Sequence, residues 1–215
     1  MRQINSTSTI LLLLTCSSIA LAQTDRPSRI VLVAQTSMRE PQQHADNSAA
    51  TLDAQRERRA LQIFLKSVET QIVSAADAMP ADKYGFAPTD GEFKGVRTFG
   101  QQVKHLAATN HILAAAALGE EPPTDAGDEA GPEAIRTKAE ILDYLNGSFA
   151  HLGKAIDAIG EKNATVKSSP ISPLPASVAT RLALTVEALI HAFDHYGQMV
   201  DYLRMNGVVP PASRP

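Results

Sequence analysis

Two histidines stand four residues apart in the stretch "HAFDHYGQMVDYLRMNGVVPP", at positions His191 and His195. On a helix this spacing brings their Cβ atoms to about 6 Å, and two imidazole nitrogens so placed can reach one ion at about 2 Å each. Leu184, Ala188, His191, His195, Met199 and Tyr202 follow one another at intervals of four or three. Both imidazoles therefore share the stripe that faces a core. Two readings stand side by side: packed, hydrogen-bonded core histidines, or half of a metal centre. Each buried imidazole carries a polar nitrogen that must be satisfied, and a shared cation would serve both.

A metal centre needs a third ligand from a facing helix. His105 is the best candidate, flanked by Val103 and Leu106 and sharing its face with Gln101, Thr109 and Ile112. His111 lies six residues on, about 240° around the same helix, and cannot face the same ion. His151 falls off the apolar stripe of its helix and His44 lies near the N-terminus, so both read as ordinary solvent-facing residues. Asp194 is rotated about 100° from His195 and reads as a surface carboxylate or an orienting group rather than a ligand. Tyr196, Gln198 and Tyr84 could reach a pocket rim or simply pack. Position 192 is Ala, so the H-E-x-x-H peptidase pattern is missing, as are a serine nucleophile elbow and a glycine-rich phosphate loop. Imidazole ligation alone does not choose among Zn, Ni, Fe, Mn and Co.

Four helical segments must position these residues. The first is expected over about Thr51 to Ala78, with Leu61, Phe64, Leu65, Val68, Ile72 and Ala75 or Ala76 forming its buried face. A long loop rich in Pro and Gly follows. The second begins after Thr98, with Gln101 as capping-box partner, and ends at Gly119. An acidic Pro/Gly loop, "EEPPTDAGDEAGPEA", reads as plain solvated charge. The third spans about Thr137 to Ile159, opened by a Thr137/Glu140 capping box, and the fourth about Ala176 to Asn206, closed by Gly207. With no strand pattern and no internal repeat, the fold class is all-α, a four-helix bundle.

The chain's 215 residues suffice for one such domain. Residues 1–22 read as a signal peptide, with an apolar run "ILLLLTCSSIALA" and an Ala-Leu-Ala cleavage pattern, followed by a flexible leader over 23–50 and the bundle domain over 51–213. The expected location is exported, periplasmic or secreted; a start at Met38 would make it cytoplasmic. Cys16, the one cysteine, lies inside the signal, so the mature chain has no thiol nucleophile or thiolate ligand. The formal charge is −3, and loss of Arg2 with the signal makes it −4. No basic surface suits nucleic acid, and no segment of the mature form is long and apolar enough for a membrane span. Asn163-Ala164-Thr165 matches a glycosylation acceptor by chance.

"KYGFAPTDGEFKGVRTFGQQVKHLAATN", "TKAEILDYLNGSFAHLGKAI" and "HAFDHYGQMVDYLRMNGVVPPAS" resemble, in this order, segments of the DinB-like (DinB/YfiT) superfamily of four-helix metalloproteins, over about Leu52 to Ser213. The resemblance implies a metal-binding set of one histidine from the second helix and an H-x-x-x-H pair from the fourth, here His105, His191 and His195. It further implies one divalent metal ion and a homodimer, and an activity, where there is one, as a thiol-dependent transferase or isomerase. Three histidines leave a coordination position open where water could be activated, so a metal-dependent hydrolase or transferase acting on a small molecule is one reading and a non-catalytic metal-binding or stress-related module the alternative. Export weighs against the thiol chemistry, since low-molecular-weight thiols are scarce outside the cytoplasm.

Overall fold

The computed structural model describes residues 40–126, 129–160 and 166–215, with the side chains of 40–50 and of residue 125 left aside. The signal peptide, its cleavage site, Cys16, Met38, the leader up to residue 39, the side chain of His44 and the Asn163 pattern lie outside that description. The chain divides into the units Met1–Pro41 and Gln42–Pro215, and the bundle belongs to the second. Four helices make it: α1 (Glu40–Ala78), α2 (Phe99–Leu118), α3 (Lys138–Asp157) and α4 (Arg181–Met205), with no strand among the described residues. Short 3-10 turns at Ala81–Lys83, Thr124–Ala126 and Pro211–Ser213 punctuate the connections. Among the described residues no helix is long and apolar enough to cross a membrane.

Local chemistry sets most helix ends. Thr98 accepts from the Gln101 backbone N–H while Gln101 Oε1 accepts from the Thr98 N–H, and Thr137 and Glu140 do the same for α3. Each box satisfies two donors that a helix start otherwise strands. Gly119 (φ 77°) and Gly207 (φ 71°) end α2 and α4 in the left-handed region. Behind them, Glu120 N–H bonds the Ala115 carbonyl and Val208 N–H that of Leu203, the six-to-one closure that a left-handed residue permits.

Three expectations need correction. The α1 helix begins at Glu40 rather than Thr51; its first turns carry few apolar residues, so no stripe marks them. The α4 helix begins after Thr180 rather than at Ala176, because the Thr180 hydroxyl accepts from Ala183 N–H and caps it there. Phe64 is 60 % exposed. It lies about 70° from the centre of the Leu61, Leu65, Val68 and Ile72 stripe, and those four residues fill the core without it.

The α2 helix is the central element, packed against both α3 and α4 and buried along most of its length. Its alanines, 107, 108, 114, 115 and 117, admit that close approach. The loop before it is tied down by Phe99 N–H to Phe86 O and Gly100 N–H to Tyr84 O, each at 2.8 Å. A Cβ on Gly100 would stand 3.2 Å from the Tyr84 carbonyl oxygen and 3.1 Å from its ring. Backbone cannot give way as a flexible side chain can, so Gly100→Ala is expected to cost about 1–3 kcal/mol, read as a lowered urea midpoint with unchanged slope.

Candidate metal centre

Each of the three histidines is delivered by an element whose reason is local. The capping box at Thr98 starts α2 so that His105 falls two turns in, where it is 4 % exposed. Thr180 starts α4, and its stripe of Leu184, Ala188, Ala192 and Met199 turns His195 into the core at 6 % exposure, with His191 half-buried one turn earlier. The fold brings these three residues together. His191 Nε2 lies 3.3 Å from His105 Nε2 and 2.9 Å from His195 Nε2. One nitrogen from each ring falls within 4.8 Å of the other two. The rings meet edge to face, with centroids 4.3 to 5.2 Å apart. Nitrogens held by one tetrahedral zinc at about 2.0–2.1 Å stand about 3.3 Å apart, and the spacing here is of that size.

Protonation fits the same use. Burial holds all three imidazoles below their ordinary value, aided in each by Arg97. His191 is lowered to about 4, by burial first and then by His105. His195 is lowered to about 3, by burial first and then by His191 and His105. For His105 burial dominates too, though the bond to Glu129 opposes it. Near neutrality all three are uncharged, the form in which imidazole donates a lone pair.

The nitrogen on the far side of the His105 ring settles which of its lone pairs faces inward. His105 Nδ1 donates to the backbone carbonyl of Glu129 at 2.9 Å. A carbonyl only accepts, so Nδ1 carries the proton and Nε2 presents its lone pair to the centre. Glu129 adopts φ 72°, uncommon for a residue with a side chain, and the loop that holds it is anchored by Lys104 Nζ donating to Pro132 O at 2.6 Å. The acidic loop read from sequence as plain solvated charge thus supplies a backbone group that orients His105.

Gln102 supports His195. Its side chain is 3 % exposed, and Nε2 lies 2.6 Å from His195 Nδ1 and 2.7 Å from Gln198 Oε1, while Gln198 Nε2 donates to Asp194 Oδ2 at 3.0 Å. In this arrangement His195 Nδ1 accepts, and its Nε2–H points at His191. Half-turns of the two amides would exchange donor for acceptor, so that Gln102 Oε1 would accept a hydrogen bond from His195 Nδ1–H and the His195 Nε2 lone pair would turn inward, with exposed Asp194 turning to water. Without a cation the crowded nitrogens can share little more than one proton, leaving lone pairs face to face. With one, all three lone pairs have a common partner. His191 Nδ1 is buried without a hydrogen-bond partner, so His191 is the ligand least braced from behind. Gln102→Leu keeps the volume and removes the acceptor; it is expected to weaken divalent-metal affinity about 10–100-fold, measurable by competition with a chromophoric chelator.

The remaining candidates fall elsewhere. Tyr84 is a core residue, its hydroxyl donating to Ala76 O at 2.8 Å and its ring set edge-on to Phe99; burial raises its pKa. Tyr196 packs edge-on to Phe193. Gln198 bonds Gln102 and Asp194 bonds Gln198, so they stand two and three hydrogen bonds from His195. His151, expected to face solvent, is half-buried and pairs with His111, 3.1 Å between their Nδ1 atoms. Sequence reasoning missed Gln102 and Glu129. Gln102 stands in plain view three residues before His105, and burial of an amide on a core face was the available signal.

A family model described as the DinB superfamily matches residues 65–199, most of the bundle and all three histidines. The chain belongs to the DinB superfamily. A crystal structure of a protein from Exiguobacterium sibiricum 255-15, described as belonging to the DinB family, is similar at a TM-score of 0.50 and 17 % identity, covering 70 % of this chain and 92 % of that one. At that identity the likeness concerns the fold alone. A search of curated proteins gives no match.

Proposed function

We propose that this DinB superfamily chain is a divalent-metal-binding protein whose centre is formed by His105, His191 and His195, and that it serves as a metal-dependent hydrolase or transferase for a small molecule. One observation carries the reading: three uncharged imidazoles from two helices, two buried and one half-buried, turn nitrogen atoms toward one another. A bound divalent ion would supply Lewis acidity there, and three protein ligands leave coordination free for a substrate. The chain's own residues hold and orient. The Glu129 carbonyl fixes His105, and Gln102 fixes His195.

A cavity of about 550 Å³ that reaches the centre through Gln102 is lined by Arg97, Asp201, Gln198 and Tyr202 together with apolar Phe93 and Met205. Its polar groups of both signs beside apolar walls suit a small molecule that joins a polar group to an apolar body. Export and a homodimer belong to the same proposal; exposed Ile190 and Phe193 on α4 offer apolar surface for a second copy. Elemental analysis of protein purified without chelator and desalted tests the core of the reading. About one tightly held divalent ion per chain supports it, and a chain that stays metal-free after incubation with Zn²⁺ and with Ni²⁺ refutes it.

A further inference from the structure

A second pair of imidazoles meets across a different helix contact. His111 of α2 and His151 of α3 place their Nδ1 atoms 3.1 Å apart, with ring centroids at 5.3 Å. His151 Nε2 lies 3.3 Å from Glu120 Oε2. An ionised carboxylate only accepts, so His151 Nε2 carries the proton and its Nδ1 turns a lone pair toward His111. A carboxylate behind one ring nitrogen with a lone pair offered by the other is the arrangement that orients metal-ligating histidines. His111 is steadied as well, its ring 5.0 Å from that of Tyr144.

We propose that His111 and His151 form a second, weaker site for a borderline divalent cation such as Zn²⁺, Cu²⁺ or Ni²⁺, with Glu120 as its positioning residue. Two nitrogens 3.1 Å apart can both reach one such ion at about 2.0–2.1 Å, and imidazole suits these metals over Mg²⁺ or Ca²⁺. Both rings are only half-buried, so water can complete the coordination. With two protein ligands rather than three, the ion is held more weakly than at the His105 centre and exchanges with the medium. The site shares no residue with that centre, so the two stand or fall separately.

Equilibrium dialysis of the full chain against graded Zn²⁺ tests it. Two classes of bound ion are expected, the weaker one lost in both His111→Ala and His151→Ala and reduced about tenfold in affinity in Glu120→Gln, while the tighter class persists. In the His191→Ala, His195→Ala double variant the weaker class should remain. A wild-type chain with no weaker class, or one whose weaker class survives in both single variants, overturns the proposal. Circular dichroism confirms that each variant is folded, and His111→Gln, which keeps a polar group of similar reach, substitutes for His111→Ala if that variant is not.

Discussion

His195→Ala is expected to abolish tight metal binding, with an affinity loss beyond the 10–100-fold that follows removal of an orienting partner. This imidazole is the more buried of the two on α4 and is held from behind by Gln102 at 2.6 Å. The variant removes one of three lone pairs and frees Gln102 from its buried contact. A histidine kept merely for packing would behave otherwise. Its loss would open a cavity and lower stability, with no change in metal content. The metal-free variant here removes one member of a crowded set of nitrogens as well as some packing, so its melting temperature should fall little relative to metal-free wild type. The gap between metal-loaded wild type and metal-loaded variant should be large, since an ion that binds only the folded chain stabilises it by RT ln(1 + [L]/Kd), more the tighter it binds. Isothermal titration and thermal melts with and without chelator separate these outcomes. His191→Ala should follow the same pattern.

The metal-free protein is expected to lose stability steeply as pH falls from about 6.5 toward 3. In the unfolded chain each histidine takes a proton near 6.5. In the folded chain burial delays protonation of His191 to about 4 and of His195 to about 3. Between those values the unfolded state binds more protons, so lowering the pH favours unfolding. Above 6.5 all forms are neutral and stability is fully present. Each such histidine contributes a slope of about 1.4 kcal/mol per pH unit within its window. Urea denaturation at a series of pH values, after chelation, measures it. His191→Leu, His195→Leu should flatten the profile, and an unchanged profile would mean that the imidazoles are not buried as described.

What could be read from the sequence was local, and what could not was non-local. The Thr98/Gln101 and Thr137/Glu140 boxes and the glycines at 119 and 207 declare themselves within a few residues, because a helix end is satisfied by its own neighbours. The pairing of His191 with His195 is likewise a property of one helix. His105 stands 86 residues from His191, so its own helix face made it only a candidate, and the family resemblance and the fold set it beside the pair. The orienting groups were hidden for two different reasons. Glu129 acts through its carbonyl, which every residue has, so no side chain announces the role. Gln102 and His195 are 93 residues apart, and only burial of the amide makes that contact worth holding. Phe64 misled because three apolar residues in succession, Ile63, Phe64 and Leu65, cannot all face one core, and the helical period alone left its edge position open.

X-ray diffraction from crystals of metal-loaded protein, recorded on both sides of the ion's absorption edge, is the most direct measurement. The account predicts an anomalous peak enclosed by His105, His191 and His195, about 2.0–2.2 Å from each Nε2. A metal-replete crystal with no peak at that point would contradict it.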